Sequence, residues 1–569
     1  MNVAQAICEA LVKEGVRIAA GITGQSIGHL ADALSLEPGV ALFYTRQERA
    51  AIDICDGYAR VTGVPGVVFT DAGPAAANAM GGLVNSWGDS TPLLFIAGHN
   101  DRYDTLRRQV KEIPFTELFA PVCKWTAVIE DASQVDGIMR RAFMQLRTGR
   151  SGPVVIGMPY DLSSMPIGNW NYQPVSAQPA VRSGADPASV RAAVDMIASA
   201  KRPYVYVGAG VLASNASADL VELAELLTLP VATTLNGKSA FPENHRLSLG
   251  IGGFARAVYS SLPATVLADS ADVVLTIGAG FKKFATVAPM PKATRHIQVD
   301  IDGAELNKET LADLALMGDA KLVIRQMIDA AKAQLPKARL APVPSRQSEL
   351  DELGRRWKEV SAPLLSDDAM PINPFRVTAE LVKLTDPDST IVLHDAGSVR
   401  GTTCQHYVAT KPRGFLGFGV QSAMGWSLGA AIGAKQAAPD KLVVAVIGEE
   451  AFGETAIDLE TSVRTGVAIL VIVKNNRSDP ARDAGVSPKL AGTRFAGRGV
   501  DPCAVANALG AKAVHIERPD ELHAKLAAAI ADVKAGSTVV VEILTRRVPG
   551  SLHSRWEGQP TTKAGEIQR

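Results

Sequence analysis

The sequence has no excess of either charge, with 58 lysines and arginines against 58 aspartates and glutamates in 569 residues. That balance excludes the basic field by which a protein holds nucleic acid or docks on an anionic membrane. Cysteine is scarce. Cys8, Cys55, Cys123, Cys404 and Cys503 are odd in number, scattered, and never spaced as CxxC. Neither a disulfide framework nor a zinc site is expected, and a reducing cytoplasm is the expected compartment. Long apolar runs are missing too: the longest, residues 467–473, falls far short of the roughly 18 residues of a membrane span. The opening MNVAQAICEALVKEGVRIAAG has a helical amphipathic pattern, not the charged end and apolar run of a signal peptide. Aromatics make up only 5%, whereas 50 glycines imply many tight backbone turns.

A chain of this length is too long for one core and suits three or four, at roughly 150 residues each. Its 47% hydrophobic and 20% charged residues exclude a disordered or fibrous chain. Short runs rich in Val, Ile and Leu, flanked by Gly or Pro, alternate with longer segments of helical period. VPGVVFT, TPLLFIAG and GPVVIGMP form a first block. RPYVYVGAG, LPVATTL, ADVVLTIGAG and RHIQVDID form a second, and STIVLHDAG, KLVVAVIGEE, VAILVIVKNN and STVVVEIL a third. Such runs read as parallel strands buried on both faces, with crossover helices between them. The expected fold class is α/β, with three doubly wound parallel-sheet domains at 1–165, 186–335 and 365–547 and a C-terminal tail at 548–569. Proline-broken linkers are expected at 163–187 and 334–346. Whether the first and third blocks share one fold is left open.

The strongest local signal lies in VVAVIGEEAFGETAIDLETSVRTGVAILVIVKNNRS. A buried strand ends at Gly448, a turn follows, a helix is expected from about Gly453, and a second strand ends in Asn475-Asn476. A strand-to-helix turn exposes backbone N–H groups and the positive end of a helix, which suits a phosphate. An acidic residue at that turn and an amide at the end of the next strand would both face the crevice at the carboxyl ends of the strands. Together they supply hard oxygen ligands for a magnesium ion bridging a diphosphate.

This segment resembles the thiamine-diphosphate motif, Gly-Asp-Gly, a helix, then Asn-Asn; Glu449 and Asn476 stand 27 positions apart. FYTRQERAAIDICDGYARVTGVPGVVFTDAGPAAANAMGGLVNSWGDSTPLLFIAG is similar to the pyrimidine-binding domain of acetolactate synthase-like enzymes. FGVQSAMGWSLGAAIGAK resembles the segment that carries the wedge beneath a bent cofactor. With the three in this order, the chain is identified as a member of the thiamine-diphosphate-dependent superfamily that includes acetolactate synthase, pyruvate oxidase and decarboxylase, and 2-hydroxyacyl-CoA lyase.

The resemblance implies pyrimidine-binding, central Rossmann-like and diphosphate-binding domains, with thiamine diphosphate and Mg2+ as cofactors. It places the cofactor between the first domain of one subunit and the third of another, which makes a homodimer the minimum and a homotetramer the expected assembly. Glu48 would hydrogen-bond a ring nitrogen of the aminopyrimidine and favour the tautomer that deprotonates the thiazolium carbon. Met424 would be the wedge, and the Ser422 carbonyl would receive the exocyclic amine. Gly397, Ser398 and Val399 would hold the far phosphate, and Gly448, Glu449, Glu450 and Ala451 would form the diphosphate turn. Glu449, Asn476 and the Ser478 carbonyl fall at the metal-ligand positions. Gly24, Gln25, His99 and Lys111 fall on loops facing the substrate pocket.

The chain departs from the family pattern at Glu449, an aspartate there, and at Glu450, where a second glycine is usual. An anionic side chain at that position opposes a diphosphate unless it turns outward. GPGATN becomes GPAAAN at 73–78, and Phe-Gln-Glu becomes Val110-Lys111-Glu112, so an unusual substrate is expected. The central domain holds FAD in acetolactate synthases. Here VGAGVLA, from Val207, has only the start of a dinucleotide fingerprint, and Gly280 stands where flavin-binding members carry arginine, so FAD is not expected. Taken alone, Glu48 between Arg46 and Arg49 also reads as a surface ion pair, Met424 as core, and Glu449 as an acid at a helix start. Gln25, His99 and Lys111 alone read as solvated loop residues.

The activity implied is thiamine-diphosphate- and Mg-dependent cleavage or formation of a carbon–carbon bond next to a carbonyl, foremost 2-oxo acid decarboxylation with or without carboligation. One alternative is a 2-hydroxyacyl-CoA lyase or oxalyl-CoA decarboxylase-like enzyme. The missing flavin signature points that way, as does a tail with Arg546, Arg547, Arg555, Lys563 and Arg569 against Glu557 and Glu566. The other is a degenerate member acting as a binding or regulatory protein, suggested by GEE in place of GDG.

Overall fold

The computed structural model describes residues 1–178, 180–253, 259–281, 290, 294–336, 340, 343–477 and 499–548. Strands β1 (Ile18–Gly21), β2 (Ala41–Tyr44), β3 (Gly66–Thr70), β4 (Leu93–His99), β5 (Trp125–Val128) and β6 (Pro153–Pro159) form a first sheet in the order β2-β1-β3-β4-β6-β5. A second sheet holds β7 (Pro203–Val207), β8 (Val231–Thr233), β9 (Ser248–Ile251), β10 (Val273–Ile277), β11 (Arg295–Asp300) and β12 (Leu314–Met317), ordered β12-β11-β10-β7-β8-β9. The third holds β13 (Thr390–His394), β14 (Phe415–Gly417), β15 (Leu442–Gly448), β16 (Leu470–Asn475), β17 (Lys512–Ile516) and β18 (Val539–Leu544), ordered β14-β13-β15-β16-β18-β17. All pairings within the three sheets are parallel. The expected α/β class with three doubly wound sheets is the fold observed.

Sheets one and three have the same strand order once each is counted from its own first strand. The first and third blocks therefore share one fold, which the sequence left open. The middle sheet has the other doubly wound order, that of dinucleotide-binding Rossmann domains. In each sheet the connections reverse direction beside the first strand, and the loops at that switch point diverge to leave a crevice. For the third sheet the crevice lies between the loops after β13 and β15, and for the first between those after β1 and β3.

A single buried core joins the first and third sheets. At its centre the helix Glu48–Thr62, which follows β2, packs along the helix Trp426–Ala437. A Cβ at Gly57 would strike the Ala430 carbonyl, and one at Gly433 the Ile54 carbonyl, so only glycine allows the two backbones to approach this closely. A buried polar network reinforces the contact. Asp56 accepts from Trp426 Nε1 at 3.0 Å and from Arg60 at 2.5 Å, and Arg60 also pairs with Asp89 at 2.8 Å.

The proline-broken stretch after residue 163 is bound to the first unit. Buried Glu14 accepts from Tyr172 Oη at 2.6 Å and from the amides of Val175 and Ser176. Within the second such stretch a helix, Pro344–Leu365, begins. Among the described residues no helix is long and apolar enough to cross a membrane.

Candidate active site

The β13–β15 crevice is bordered by two strand-to-helix turns. After β13 the chain turns at Gly397, whose φ of 77° and ψ of −154° lie in a region that is essentially glycine-only. The helix Ser398–Cys404 follows. After β15 the turn is at Gly448, extended at φ −85° and ψ 160°, and the helix Glu449–Thr455 starts at once. This corrects the expected start near Gly453: Gly448 is the N-cap, and the two glutamates fill the first turn, where the helix dipole favours acids. Glu449 is half-buried and Glu450 exposed, so Glu450 has the outward placement that its charge demands. Neither Gly397 nor Gly448 has an atom within 4 Å of where its Cβ would lie. Among the described residues both turns face open space, with the N-termini of two helices at its edge.

On the next strand, β16, the two terminal asparagines differ. Asn475 Nδ2 donates to Glu542 at 2.7 Å, and its Oδ1 accepts from the Arg477 amide at 2.9 Å. Asn476 Oδ1 is buried and has no hydrogen-bond partner among the described residues. Ser478 lies outside the described residues.

Asp395, fully buried, binds the end of β13 to the turn that precedes helix Trp426–Ala437. Its Oδ1 accepts from Ala396 N at 2.8 Å and Gly425 N at 2.9 Å, and its Oδ2 from Ser427 N at 2.9 Å. Burial pushes this carboxyl up, and those N–H groups pull it back. On the same turn Ser422, at φ 54°, accepts through Oγ from Arg400 at 2.9 Å. Met424 is 44% exposed and so is not a core residue.

Glu48 is the first residue of helix Glu48–Thr62. Both neighbouring arginines are engaged elsewhere. Arg46 pairs with Glu460 at 2.7 Å. Arg49 pairs with Glu454 at 2.5 Å and Asp53 at 3.5 Å and donates to the Met424 carbonyl. Glu48, half-buried, accepts from Asn78 Nδ2 at 3.3 Å and makes no ion pair among the described residues. The surface-ion-pair alternative is thus not what the structure shows. Through Arg49, the start of this helix is held against the Met424 turn and the helix that begins at Glu449.

The β1–β3 crevice of the first sheet holds the pocket candidates unevenly. Asp71 sits at its centre, taking Lys111 Nζ at 2.5 Å and the Ser26 amide at 3.0 Å, with the Ser26 hydroxyl on the same oxygen. Burial acts to raise this carboxyl, but the bonds from Lys111 and Ser26 outweigh it and hold it below its ordinary value. A Cβ on Gly24 would strike Asp71, and one on Gly73 would crowd Lys111. Gly24 and Lys111 are therefore brought together. Gln25 is exposed at the start of a short 3-10 turn. His99, buried at the end of β4, lies edge-on to Phe115 at 5.6 Å and lines a separate open groove with Tyr103 and Leu106. In the middle sheet a cavity of about 400 Å³ opens at the switch point, lined by Gly208, Gly210, Gly278, Gly280 and Asp300 among others.

Three sequence profiles of one family match the chain in this order: the thiamine pyrophosphate enzyme N-terminal TPP binding domain at 1–118, the central domain at 190–327, and the C-terminal TPP binding domain at 395–543. A probable acetolactate synthase large subunit from Methanococcus aeolicus is 31% identical, over 93% of this chain and 90% of the relative. The chain belongs to the acetolactate synthase-like thiamine-diphosphate enzymes. The acetolactate synthase isozyme 3 large subunit of Escherichia coli is 28% identical over 97% of this chain and 95% of its own length, and a glyoxylate carboligase of Escherichia coli O157:H7 is 27% identical over 96% and 94%.

The residues fit the coenzyme of this family. Two turns that are open among the described residues border the space that a diphosphate needs. Half-buried Glu449 and Asn476, whose Oδ1 has no hydrogen-bond partner among the described residues, follow the ends of the paired strands β15 and β16 and offer hard oxygens of the kind a small dication takes. The sequence reading missed Asp395, Asp71 and Arg49. Asp395 opens the DAGSV motif, one residue from the alanine before Gly397, so its position was in view. Its three backbone partners lie partly 30 and 32 residues away, and no local pattern announces them.

Proposed function

We propose that this enzyme decarboxylates a 2-oxo acid and passes the remaining fragment to a second carbonyl compound, with Mg2+ and thiamine diphosphate as cofactors. The observation that supports this reading is the contact made by Arg49, the residue after Glu48, which donates to the Met424 carbonyl and pairs with Glu454 on the helix that Gly448 caps. When bound, thiamine diphosphate supplies a nucleophilic carbon and the electron sink that loss of carbon dioxide requires.

The chain's own residues bind, orient and hold a proton. Glu48 is the acceptor for an N–H of the coenzyme ring, and Asn78 on one of its oxygens fixes the carboxylate plane. Met424, 44% exposed, would support the coenzyme from beneath, with the Ser422 carbonyl receiving its exocyclic amine. Gly397, Ser398 and Val399 on one turn and Gly448, Glu449, Glu450 and Ala451 on the other enclose the diphosphate. Glu449, Asn476 and the Ser478 carbonyl give oxygens to Mg2+. Gly24, Gln25 and Lys111 border the substrate, and Asp71 restrains Lys111 as the cation for a substrate carboxylate.

The homodimer is proposed as the active unit. The contact between helices Glu48–Thr62 and Trp426–Ala437, formed here within one chain, is the contact that two subunits would exchange, as in domain swapping. Mixing a Glu48→Gln variant with a Glu449→Ala variant tests this, since shared sites recover part of the activity and single-chain sites recover none. FAD remains outside this reading, on the strength of Gly280, and the visible absorption of the purified protein checks it.

The described part of the basic tail gives the acyl-CoA alternative no support. Arg546 is paired with Asp367 and Arg547 donates to the Arg477 carbonyl at 3.0 Å, and residues 549–569 lie outside the described residues. Assays with pyruvate, 2-oxobutanoate and glyoxylate should release carbon dioxide and yield a hydroxy-ketone or hydroxy-aldehyde product. Turnover of acyl-CoA substrates with none of the 2-oxo acids would overturn the proposal.

A further inference from the structure

The spacing of the cysteines gave no reason to expect a transition-metal site, yet the third sheet brings a mixed donor set together from three separate elements. Cys503 lies on the helix Pro502–Ala508, His515 on β17, and Glu542 on β18. One ligand atom from each falls within 4.8 Å of the others, the one such group among the described residues. Glu542 Oε2 is 2.8 Å from His515 Nδ1 and 3.8 Å from Cys503 Sγ. We propose that Cys503, His515 and Glu542 bind a dication of zinc's class, at a site distinct from the magnesium position at Glu449 and Asn476.

The geometry is close to what such an ion needs. With Zn–S near 2.3 Å and Zn–N and Zn–O near 2.0 Å, tetrahedral angles place sulfur and oxygen about 3.5 Å apart and nitrogen and oxygen about 3.3 Å apart. Each observed separation differs from these by about half an ångström or less, and His515, exposed at its edge, is free to turn. The surrounding bonds are those of a supported metal ligand set. His515 Nε2, the ring nitrogen away from the site, bonds Glu517 at 2.9 Å, and the second oxygen of Glu542 accepts from Asn475 Nδ2 at 2.7 Å. Carboxylate or amide partners of this kind fix the tautomer and plane of metal ligands. The mixture of sulfur, nitrogen and oxygen selects zinc, cobalt or a similar ion over magnesium.

Without a metal the Cys503 thiol is protonated, pushed up to about 11 by burial and then by Glu542 and Asp501. Binding breaks the S–H bond, releases that proton to solvent and forms a sulfur–metal bond. His515 binds through Nδ1 as neutral imidazole, releasing to solvent the proton that Nδ1 holds toward Glu542 in the metal-free protein, so thiolate and carboxylate together balance the two charges of the ion. Water completes the fourth position.

Titrating chelator-stripped, coenzyme-free full-length protein with Co2+ tests the site through thiolate-to-cobalt charge-transfer absorption. The expected result is a band that saturates at one equivalent, is displaced by one equivalent of Zn2+ and is unmoved by excess Mg2+. It should vanish in Cys503→Ser and need at least tenfold more Co2+ in His515→Gln, with circular dichroism unchanged. Should Cys503→Ser fail to fold, the shift in His515→Gln decides. Absence of the band in the unaltered protein, or an unaltered titration in either folded variant, would overturn the proposal. Because no coenzyme is present, failure of the thiamine-diphosphate reading would leave this result standing.

Discussion

Replacing Asn476 by alanine should have opposite consequences for the free and the loaded protein. The Asn476 Oδ1 atom is buried with no hydrogen-bond partner among the described residues. An unsatisfied buried acceptor costs about 1–3 kcal/mol, while truncating a half-buried amide loses packing worth roughly 1 kcal/mol. Free Asn476→Ala protein should therefore be as stable as the parent or more so, by up to about 2 kcal/mol. With thiamine diphosphate and Mg2+ at 100 times the dissociation constant, the parent gains about 2.7 kcal/mol. If losing this oxygen weakens binding about a hundredfold, the variant's gain falls to about 0.4 kcal/mol. Denaturant titrations of both proteins, with and without coenzyme and metal, measure the four values needed. A free variant destabilised by more than about 1 kcal/mol, or one stabilised by the ligands as fully as the parent, would refute the assignment of Asn476 to the metal.

Asp395→Asn should cost roughly 2–4 kcal/mol of stability, since a buried carboxylate bond is lost and an amide N–H is set against another; calorimetry checks this, and a change below about 0.5 kcal/mol would dismiss Asp395 as the anchor of the Met424 turn. Met424→Ala, at a largely exposed site, should leave stability within about 0.5 kcal/mol while lowering turnover by roughly a hundredfold through loss of coenzyme geometry. Arg46 and then Arg464 hold the Glu460 carboxyl down to about 2. A depressed carboxylate stabilises the fold above its ordinary value of 4.5 and loses that contribution as pH falls from there toward 2. Stability profiles of the parent and Glu460→Gln should thus differ at neutral pH and converge across that acid window, and parallel profiles would show that the pair contributes nothing.

What could be read from the sequence tracked burial. Strands β3, β4, β6, β10, β15 and β16 are runs of Val, Ile and Leu covered on both faces, and each stands out unaided. The edge strands do not. In β5 all four residues are half-buried, and β17, KAVHI, is fully buried only at Ile516, so neither shows a hydrophobic run. The turn residues of the site were legible because glycines and acids at a strand end carry their own local signal. Asp71 and Asp395 act through partners brought in by the fold, as do the three members of the Cys503 cluster, and nothing near them in sequence foretells those contacts. The helix start was misplaced for a local reason: Gly453 looked like the break, whereas Gly448 already caps the helix.

The most direct test of the account is to titrate thiamine diphosphate, in the presence of Mg2+, into the parent and a Glu48→Gln variant by calorimetry, and to assay 2-oxo acid turnover on the same preparations. The account predicts saturable binding by both proteins, an unchanged fold, and turnover at least about a hundredfold lower in the variant. No binding by the parent, or near-normal turnover by Glu48→Gln, would contradict it.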